Sequence, residues 1–506
     1  MAEEKKDIEQ AEGGGRHLSQ PRDMDIGTDN NKDNDGSITT TPVQDNVEAF
    51  ETAPPNASVR SAPPPPPDGG YGWVCAACVG IINAHTWGMN SSYGVFLAHY
   101  LANDVFPGAT SLHYAFVGSL SFSVALLISP LVTTCVRLFG TKPTMLTGVA
   151  LETASLISAS FATEIWHLFL TQGVLFGVGM GFLFVPSVAI VPQWFSTKRS
   201  LANGFSTCGS GIGGLIYSFA SGAMIQNIGL AWTFRVLGIL AFVVNLICTL
   251  LIKDRNKIIG ATQLAFDVSL FRRAEYLLLV GYGWFSMFGY VVLVFSLANY
   301  ANTIGLDASQ AALISAFFNL GQSFGRPLIG YFSDRTGRIT MAAVTTALAA
   351  VFSLAIWINA RSYGVLIFFA LVGGVVCGTF WVTVGPVTAE VVGLRHVASA
   401  LSILWLTIVI PATSATPIAL QIVDATGSYL GAQLFVGCMF AAAAVCAVVL
   451  RGWKVGEEEE VARVAGAEGY GDLDRHKIEN DEELMAMGRK AGRKRMLVDC
   501  WKWSKV

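Results

Sequence analysis

Arg326 stands inside an apolar run long enough to cross a membrane, and Pro327 follows it at once. The surrounding stretch, residues 319–338, reads NLGQSFGRPLIGYFSDRTGR. A charge near the middle of a membrane helix costs roughly 2.5–3.5 kcal/mol, so such a residue usually faces a bundle interior or a watery cavity and holds an anion or a counter-charge. The competing reading is snorkelling to the headgroups. Arg326 sits eight residues before Asp334, about 12 Å at 1.5 Å per residue, which is near the limit of a side chain's reach. The run then leaves the membrane through a charged turn, GYFSDRTGR, residues 330–338. A carboxylate there, Asp334, can accept hydrogen bonds from the free backbone N–H groups of a helix start, and Arg335 and Arg338 can pair with it or with lipid phosphate. Such a cluster holds one conformation closed until it is broken. The plainer alternative is ordinary enrichment of basic residues on the cytosolic side.

Few other polar groups lie at membrane depth. Glu152 falls in the third apolar run, and His85 and Asn90 in the first. Glu152 and His85 are candidate proton sites, with a buried hydrogen-bonded structural role as the alternative. Glu390 lies near the end of the tenth run. Trp87, Tyr93, Trp284, Phe285, Tyr290, Phe380, Trp381 and Trp405 can wall a cavity, or serve singly as packing and interfacial residues.

The elements that must position these groups follow from composition. Hydrophobic residues make up 52% of the 506-residue chain and charged residues 14%, with mean hydropathy +0.50. A soluble chain of this size carries nearer a quarter charged residues, so a polytopic membrane protein is expected. Apolar runs of membrane length fall at about 74–97, 111–135, 143–163, 165–190, 200–223 and 232–252, then at 277–300, 309–332, 339–358, 362–388, 396–420 and 429–451. The fold class is therefore an all-α membrane protein with twelve transmembrane helices in two six-helix lobes. Residues 68–252 and 277–451 form the lobes, and 253–276 is a cytosolic linker. Residues 1–67, rich in Asp, Gly, Asn and Pro, read as a disordered cytosolic tail without a secretory h-region.

Lysine and arginine bias gives the orientation. With both termini cytosolic, the cytosolic loops hold Arg137, Lys142, Lys198, Arg199, Lys253, Arg255, Lys257, Arg272, Arg273, Arg335, Arg338 and Arg395, and the opposite loops hold Arg361, with Arg235 near an edge. The carboxyl tail, 452–506, carries the acidic run 457–460 and a basic run, Arg489, Lys490, Arg493, Lys494 and Arg495, before Trp501 and Trp503. It reads as a solvated tail, or as a basic segment that touches an anionic leaflet. Most of the nine cysteines lie inside apolar runs and read as small packing residues. Glycines 173, 177, 179 and 181 in the fourth run and 204, 209, 211, 213 and 214 in the fifth let backbones approach closely.

Six helices, a basic linker and six more helices is the plan of a two-lobed transporter, with its site near the midplane between the lobes. GYFSDRTGR resembles the loop motif of the major facilitator superfamily in its second-lobe position. The matching first-lobe loop, RLFGTK at 137–142, is degenerate. Asp68-Gly69-Gly70-Tyr71-Gly72-Trp73 is similar to the DGGxGW signature of the monocarboxylate transporter branch. Gln193-Trp194-Phe195-Ser196-Thr197-Lys198-Arg199-Ser200-Leu201-Ala202-Asn203-Gly204, running on to Cys208-Gly209-Ser210-Gly211, resembles that branch's fifth-helix signature. The long polar amino tail looks like that of fungal members. In the first motif, Asp68 and the glycines are expected to cap a helix start.

The resemblance implies that Arg326, with Pro327, meets a substrate carboxylate. Where the family has an acidic partner one turn earlier, this chain has Gln322. Where proton-linked members have a first-helix lysine, Asn90 and Ser91 stand. The expected function is transport of a small organic anion, most simply a monocarboxylate, by alternating access, with H+ as the candidate co-substrate. The expected site is Arg326, Gln322, Asn90 and Ser91, gated by Asp334, Arg335 and Arg338. One alternative is an uncoupled facilitator of a larger or neutral, vitamin-like metabolite, and another is a non-transporting membrane sensor. No catalytic, metal-ligand, cofactor or nucleic-acid motif is found. The plasma membrane is favoured over the vacuolar membrane.

Overall fold

The computed structural model describes residues 65–467 and 482–502. The expected amino tail up to residue 64, and Trp503, lie outside the described residues. The first six helical runs are α1 (71–103), α2 (111–139), α3 (Thr141–Ala159), α4 (Ile165–Trp194), α5 (Arg199–Ile228) and α6 (Leu230–Leu251). Residues 252–273 form the linker. The second six are α7 (Ala274–Thr303), α8 (Ala308–Thr336), α9 (Arg338–Trp357), α10 (Tyr363–Val392), α11 (Val397–Thr426) and α12 (Leu430–Ala467).

Eight of these helices are long and apolar enough to cross a membrane, and α2 makes a ninth although it bends by 45°. The other three fall short for identifiable reasons. A bend at Ser92 divides α1, which also carries Asn83, His85 and Asn90. Lys142 and Glu152 lie in α3, and Asn319, Gln322 and Arg326 in α8. The helices bearing unusual polar groups are thus the least apolar. Asp307 starts α8 with a reciprocal cap: its carboxylate accepts from the Gln310 backbone N–H at 2.7 Å, and the Gln310 side chain accepts from the Asp307 N–H at 3.2 Å. A single glycine in the left-handed region turns α8 into α9 (Gly337, φ 105°), as Gly140 (φ 90°) turns α2 into α3.

Close packing inside the first lobe depends on small residues. A Cβ on Gly209 of α5 would lie 1.9 Å from the Gly80 carbonyl oxygen of α1. The same closeness holds between lobes along α5 and α8. A Cβ on Gly204 would meet the Arg326 carbonyl oxygen at 2.5 Å, and one on Gly330 would meet that of Ser200 at 2.4 Å. The linker crosses from lobe to lobe. Gln193 of α4 accepts from the Arg255 N–H at 2.7 Å, and Thr262 donates its N–H to the Arg395 carbonyl at 2.8 Å.

The carboxyl-terminal segment differs from a solvated tail. Helix α12 has 38 residues, about 57 Å at 1.5 Å per residue, against a hydrocarbon core of about 30 Å. A further helix, α13 (Glu482–Arg495), packs on the projecting part. Gly492 allows this, since a Cβ there would lie 2.5 Å from the Trp453 carbonyl oxygen. Arg493 grips the fully buried Glu275 of α7 with two hydrogen bonds of 2.8 Å. The basic run therefore has a carboxylate of its own fold to answer, a pairing that sequence separation hides.

Candidate functional site

Arg326 is only 4% exposed and sits where α8 meets α5 of the other lobe. One terminal nitrogen donates to the Thr207 carbonyl at 2.5 Å and to the Ser210 hydroxyl. The other donates to Gln322 Oε1 at 2.6 Å. Gln322 lies one turn earlier on α8, so its neutral amide oxygen occupies one side of the guanidinium fork. That oxygen also accepts from the Tyr290 hydroxyl of α7 at 2.9 Å. The remaining donor, Arg326 Nε, is buried and has no partner among the described residues. It faces Gly378, where α10 is interrupted. A Cβ at Gly378 would stand 3.4 Å from both Arg326 Nε and Gln322 Oε1. The guanidinium thus keeps one charged donor unanswered beside α10, which suits a carboxylate oxygen.

An aromatic cluster adjoins Tyr290. Tyr290 and Trp381 have ring centroids 6.1 Å apart, Trp381 and Trp87 5.4 Å, and Trp381 and Trp405 5.8 Å at an interplanar angle of 16°. Phe184 and Phe122 close it from the first lobe. Trp87 rides on α1 just after His85, in a π turn at Ala84–Gly88. An extra residue per turn at such a point re-aims side chains, as is frequent at functional sites.

The charged turn lies on the linker face. Asp334 accepts from the backbone N–H groups of Ser200 at 3.0 Å and Leu201 at 2.8 Å, so it caps α5 of the opposite lobe, whereas its own following helix, α9, starts without a side-chain cap. Arg338 pairs with Asp334 at 3.2 Å and Glu390 at 2.7 Å, and also donates to the Ser196 carbonyl. Arg335 stands apart from this cluster: it is exposed, and its guanidinium lies 4.2 Å from the Tyr331 ring centroid. Glu390 joins the cluster in its stead. A lone acidic residue at a helix end carries no sequence signal for such a partner.

Asp68 departs from its expected role as well. Helix α1 has no side-chain cap. Asp68 instead binds the α4–α5 turn, accepting from the N–H groups of Ser196 at 2.6 Å and Thr197 at 2.9 Å and from the Ser196 hydroxyl. Its own N–H donates to the Trp194 carbonyl at 3.0 Å. Burial raises its pKa, but these hydrogen bonds together outweigh that and hold the carboxyl below the ordinary aspartate value. The backbone at Asp68 has φ 53°, which turns the segment back toward the loop. The two signature motifs are thereby joined, with Trp73 set edge-on to Phe195 at 4.9 Å.

The remaining candidates lie in the first lobe. Fully buried Glu152 accepts from Asn245 Nδ2 of α6 at 2.7 Å through one carboxyl oxygen, and the other has no partner among the described residues. Tyr217 lies within electrostatic range of Glu152 and packs edge-on to His85 at 5.7 Å. His85 Nδ1 is 2.9 Å from the Ile81 carbonyl oxygen. Asn90 is not brought to Arg326: it accepts from Ser121 at 2.8 Å and lines a cavity of about 30 Å³ inside the first lobe. Ser91 donates to the Trp87 carbonyl at 2.8 Å and flanks Gly214, whose other neighbour is Asn319 of α8. Thr207 and Ser210, which hold Arg326, belong to the fifth-helix signature, but their facing of α8 is a tertiary fact.

The fold and the charged interlobe turn define a multi-pass membrane transporter, and the chain belongs to the major facilitator superfamily, whose sequence profile matches residues 76–299 and 278–490. Within it the chain falls in the monocarboxylate transporter-like branch. It is 32% identical to "Probable transporter MCH2" of Saccharomyces cerevisiae over 406 residues, covering 79% of this chain and 86% of that one. It is 26% identical to monocarboxylate transporter 10 of Mus musculus, covering 74% of this chain and 77% of that one. Among solved structures, the E. coli fucose:proton symporter FucP shares the fold with TM-score 0.57 at 16% identity, over 75% of this chain and 98% of that one.

Proposed function

We propose that this protein moves a small organic monocarboxylate across a membrane by alternating access, with Arg326 holding the carboxylate and Gln322 and Tyr290 as neutral neighbours. The observation that carries this reading is the buried guanidinium at the α5–α8 contact, with its Nε unpartnered beside Gly378 and no carboxylate answering it among the described residues. A buried cation without an ion pair is costly, and a substrate anion would relieve that cost. Asp334, Arg338 and Glu390 form the gate, which keeps α5 and α8 together on the linker face until it breaks. That face is cytosolic by its lysine and arginine content, and the plasma membrane is the favoured location. Labelled monocarboxylates supplied to transporter-deficient yeast should enter saturably through the wild-type chain and not through Arg326→Ala at equal surface expression. Normal uptake by that variant would refute the site.

Glu152, next to Asn245 and within range of Tyr217, is the candidate H+ carrier, with His85 beside Tyr217. Uptake at external pH 5 should then exceed uptake at pH 7.5, and Glu152→Gln should flatten the difference. One observation favours an uncoupled facilitator: the residue one turn before Arg326 is a neutral amide already hydrogen-bonded to it. PH-independent uptake by the wild-type chain would support that second reading.

A further inference from the structure

Trp87, Trp381 and Trp405 come from α1, α10 and α11 and meet between the lobes. They are 9%, 8% and 0% exposed, and none of their indole N–H groups has an acceptor among the described residues. A buried indole N–H usually finds a partner. Even the half-buried Trp284 and Trp194 have partners, donating to the Thr407 and Lys253 carbonyls at 2.9 Å. Trp357 and Trp453 are also unpaired, but each belongs to the second lobe alone, away from the interlobe cluster. Three unpaired indole donors and the unpaired Arg326 Nε are thus linked through Tyr290, which bonds Gln322 and packs on the Trp381 ring.

The register of α10 relates these donors to the arginine. Gly378, which lies against Arg326 Nε, precedes Trp381 by three residues, and the Trp381 backbone N–H donates to the Gly378 carbonyl at 3.2 Å. The two positions share one face, about one helical turn apart, or roughly 5 Å. Tyr290 links them, touching Gln322 on one side and the Trp381 ring on the other. A substrate anchored at Arg326 and lying along α10 would reach the indoles within a few bonds of its carboxylate.

We propose that Trp381, with Trp87 and Trp405, forms a second polar subsite for a neutral oxygen acceptor, a ketone, hydroxyl or ether, on the substrate chain beyond the carboxylate. This rests on the reading that Arg326 holds the carboxylate. The preferred substrate class is therefore an oxygen-bearing monocarboxylate of medium length, and an unsubstituted short acid leaves the subsite unfilled. Aromatic faces wall the intervening chain and contribute apolar contact, while the indole N–H supplies the discrimination, because a donor left unpaired on binding disfavours the analogue without an acceptor.

The test compares heptanoate with 4-, 5- and 6-oxoheptanoate by calorimetric titration of the full chain in nanodiscs. At least one oxo acid should bind about three- to tenfold more tightly than heptanoate, the range of one neutral hydrogen bond. Trp381→Phe keeps an aromatic ring without the N–H, and should erase that advantage while leaving heptanoate affinity within about twofold. If Trp381→Phe fails to fold, Trp87→Phe and Trp405→Phe carry the same comparison. Equal affinity for all four acids, or equal weakening of all four in the Phe variants, would overturn the subsite. Arg326→Gln should lose heptanoate and the oxo acids alike. Retained binding in Arg326→Gln with the oxo preference intact would instead overturn the carboxylate anchor and spare the subsite. No binding of any acid by the wild-type chain would overturn both.

Discussion

The carboxylate of Asp334, at the end of α8 in the second lobe, accepts hydrogen bonds from the backbone N–H of Leu201 at 2.8 Å and of Ser200 at 3.0 Å, in the first turn of α5 in the first lobe. One side chain therefore caps a helix across the interface between the two lobes. The positive end of α5 favours the carboxylate, and Arg338 and Glu390 extend the pairing. Closure on this face is thus tied to groups that would be left unpaired on opening.

Asp334→Asn keeps the shape and removes the charge. Hydrogen bonds to charged groups contribute roughly 1.5–3 kcal/mol each, so the closed state should weaken by about 1–3 kcal/mol overall. Hydrogen exchange at the Ser200 and Leu201 amides should accelerate correspondingly. Unchanged protection at both amides would contradict the capping role.

Glycine substitutions should separate folding from closure. Gly209→Ala places a methyl 1.9 Å from the Gly80 carbonyl oxygen within one lobe, and should abolish stable expression. Gly204→Ala places one 2.5 Å from the Arg326 carbonyl oxygen across the lobes, and should fold but resist closing. Gly364→Ala meets nothing within 4 Å and should be neutral. Surface expression and cysteine accessibility on the linker face check all three.

Asp68→Asn tests the joint between the signature motifs. Because the folded pKa lies below the ordinary aspartate value, the stabilisation is present above that value and is lost as pH falls through the folded pKa. At pH 7 the variant should be less stable, because a neutral amide oxygen accepts the same N–H and O–H bonds more weakly than a carboxylate. The gap between variant and wild type should close as pH falls through the folded pKa. A constant difference across that window would exclude the ionised cap.

Release of α13 should follow loss of its buried anchor. Arg493→Ala strands Glu275, which is fully buried, and breaking such a pair is strongly destabilising. Limited proteolysis should then cut within the basic run of Glu482–Arg495 at least several-fold faster than in wild type. Equal cutting rates would show that the tail helix is held by packing at Gly492 and Gly488 alone.

Much of this was legible in the chain. Helix number and lobe division follow from apolar run length, and Arg326 stands out as a charge in such a run. Partners across the lobes were not legible. Asp334 was readable as a cap but not as the cap of α5, because the two helix ends are over 130 residues apart in sequence. Arg335 and Arg338 look alike in the motif, yet the turn at Gly337 puts them on different helices, Arg338 toward Glu390 and Arg335 toward Tyr331. Asn90, matched by position to a lysine of relatives, points into the first lobe toward Ser121. The basic run of the tail read as solvated because the buried Glu275 that answers it opens α7, 218 residues away.

The most direct measurement is uptake of a labelled monocarboxylate panel into transporter-deficient yeast, comparing wild type with Arg326→Ala, Arg326→Lys and Gln322→Glu at matched surface expression. Wild-type uptake should be saturable, Arg326→Ala should lose at least about a hundredfold from removal of a buried charged contact of about 3 kcal/mol or more, and Arg326→Lys should retain part of it. Gln322→Glu, which supplies an internal counter-charge, should weaken substrate affinity. Arg326→Ala cells that accumulate the acid at the wild-type rate would contradict the central claim.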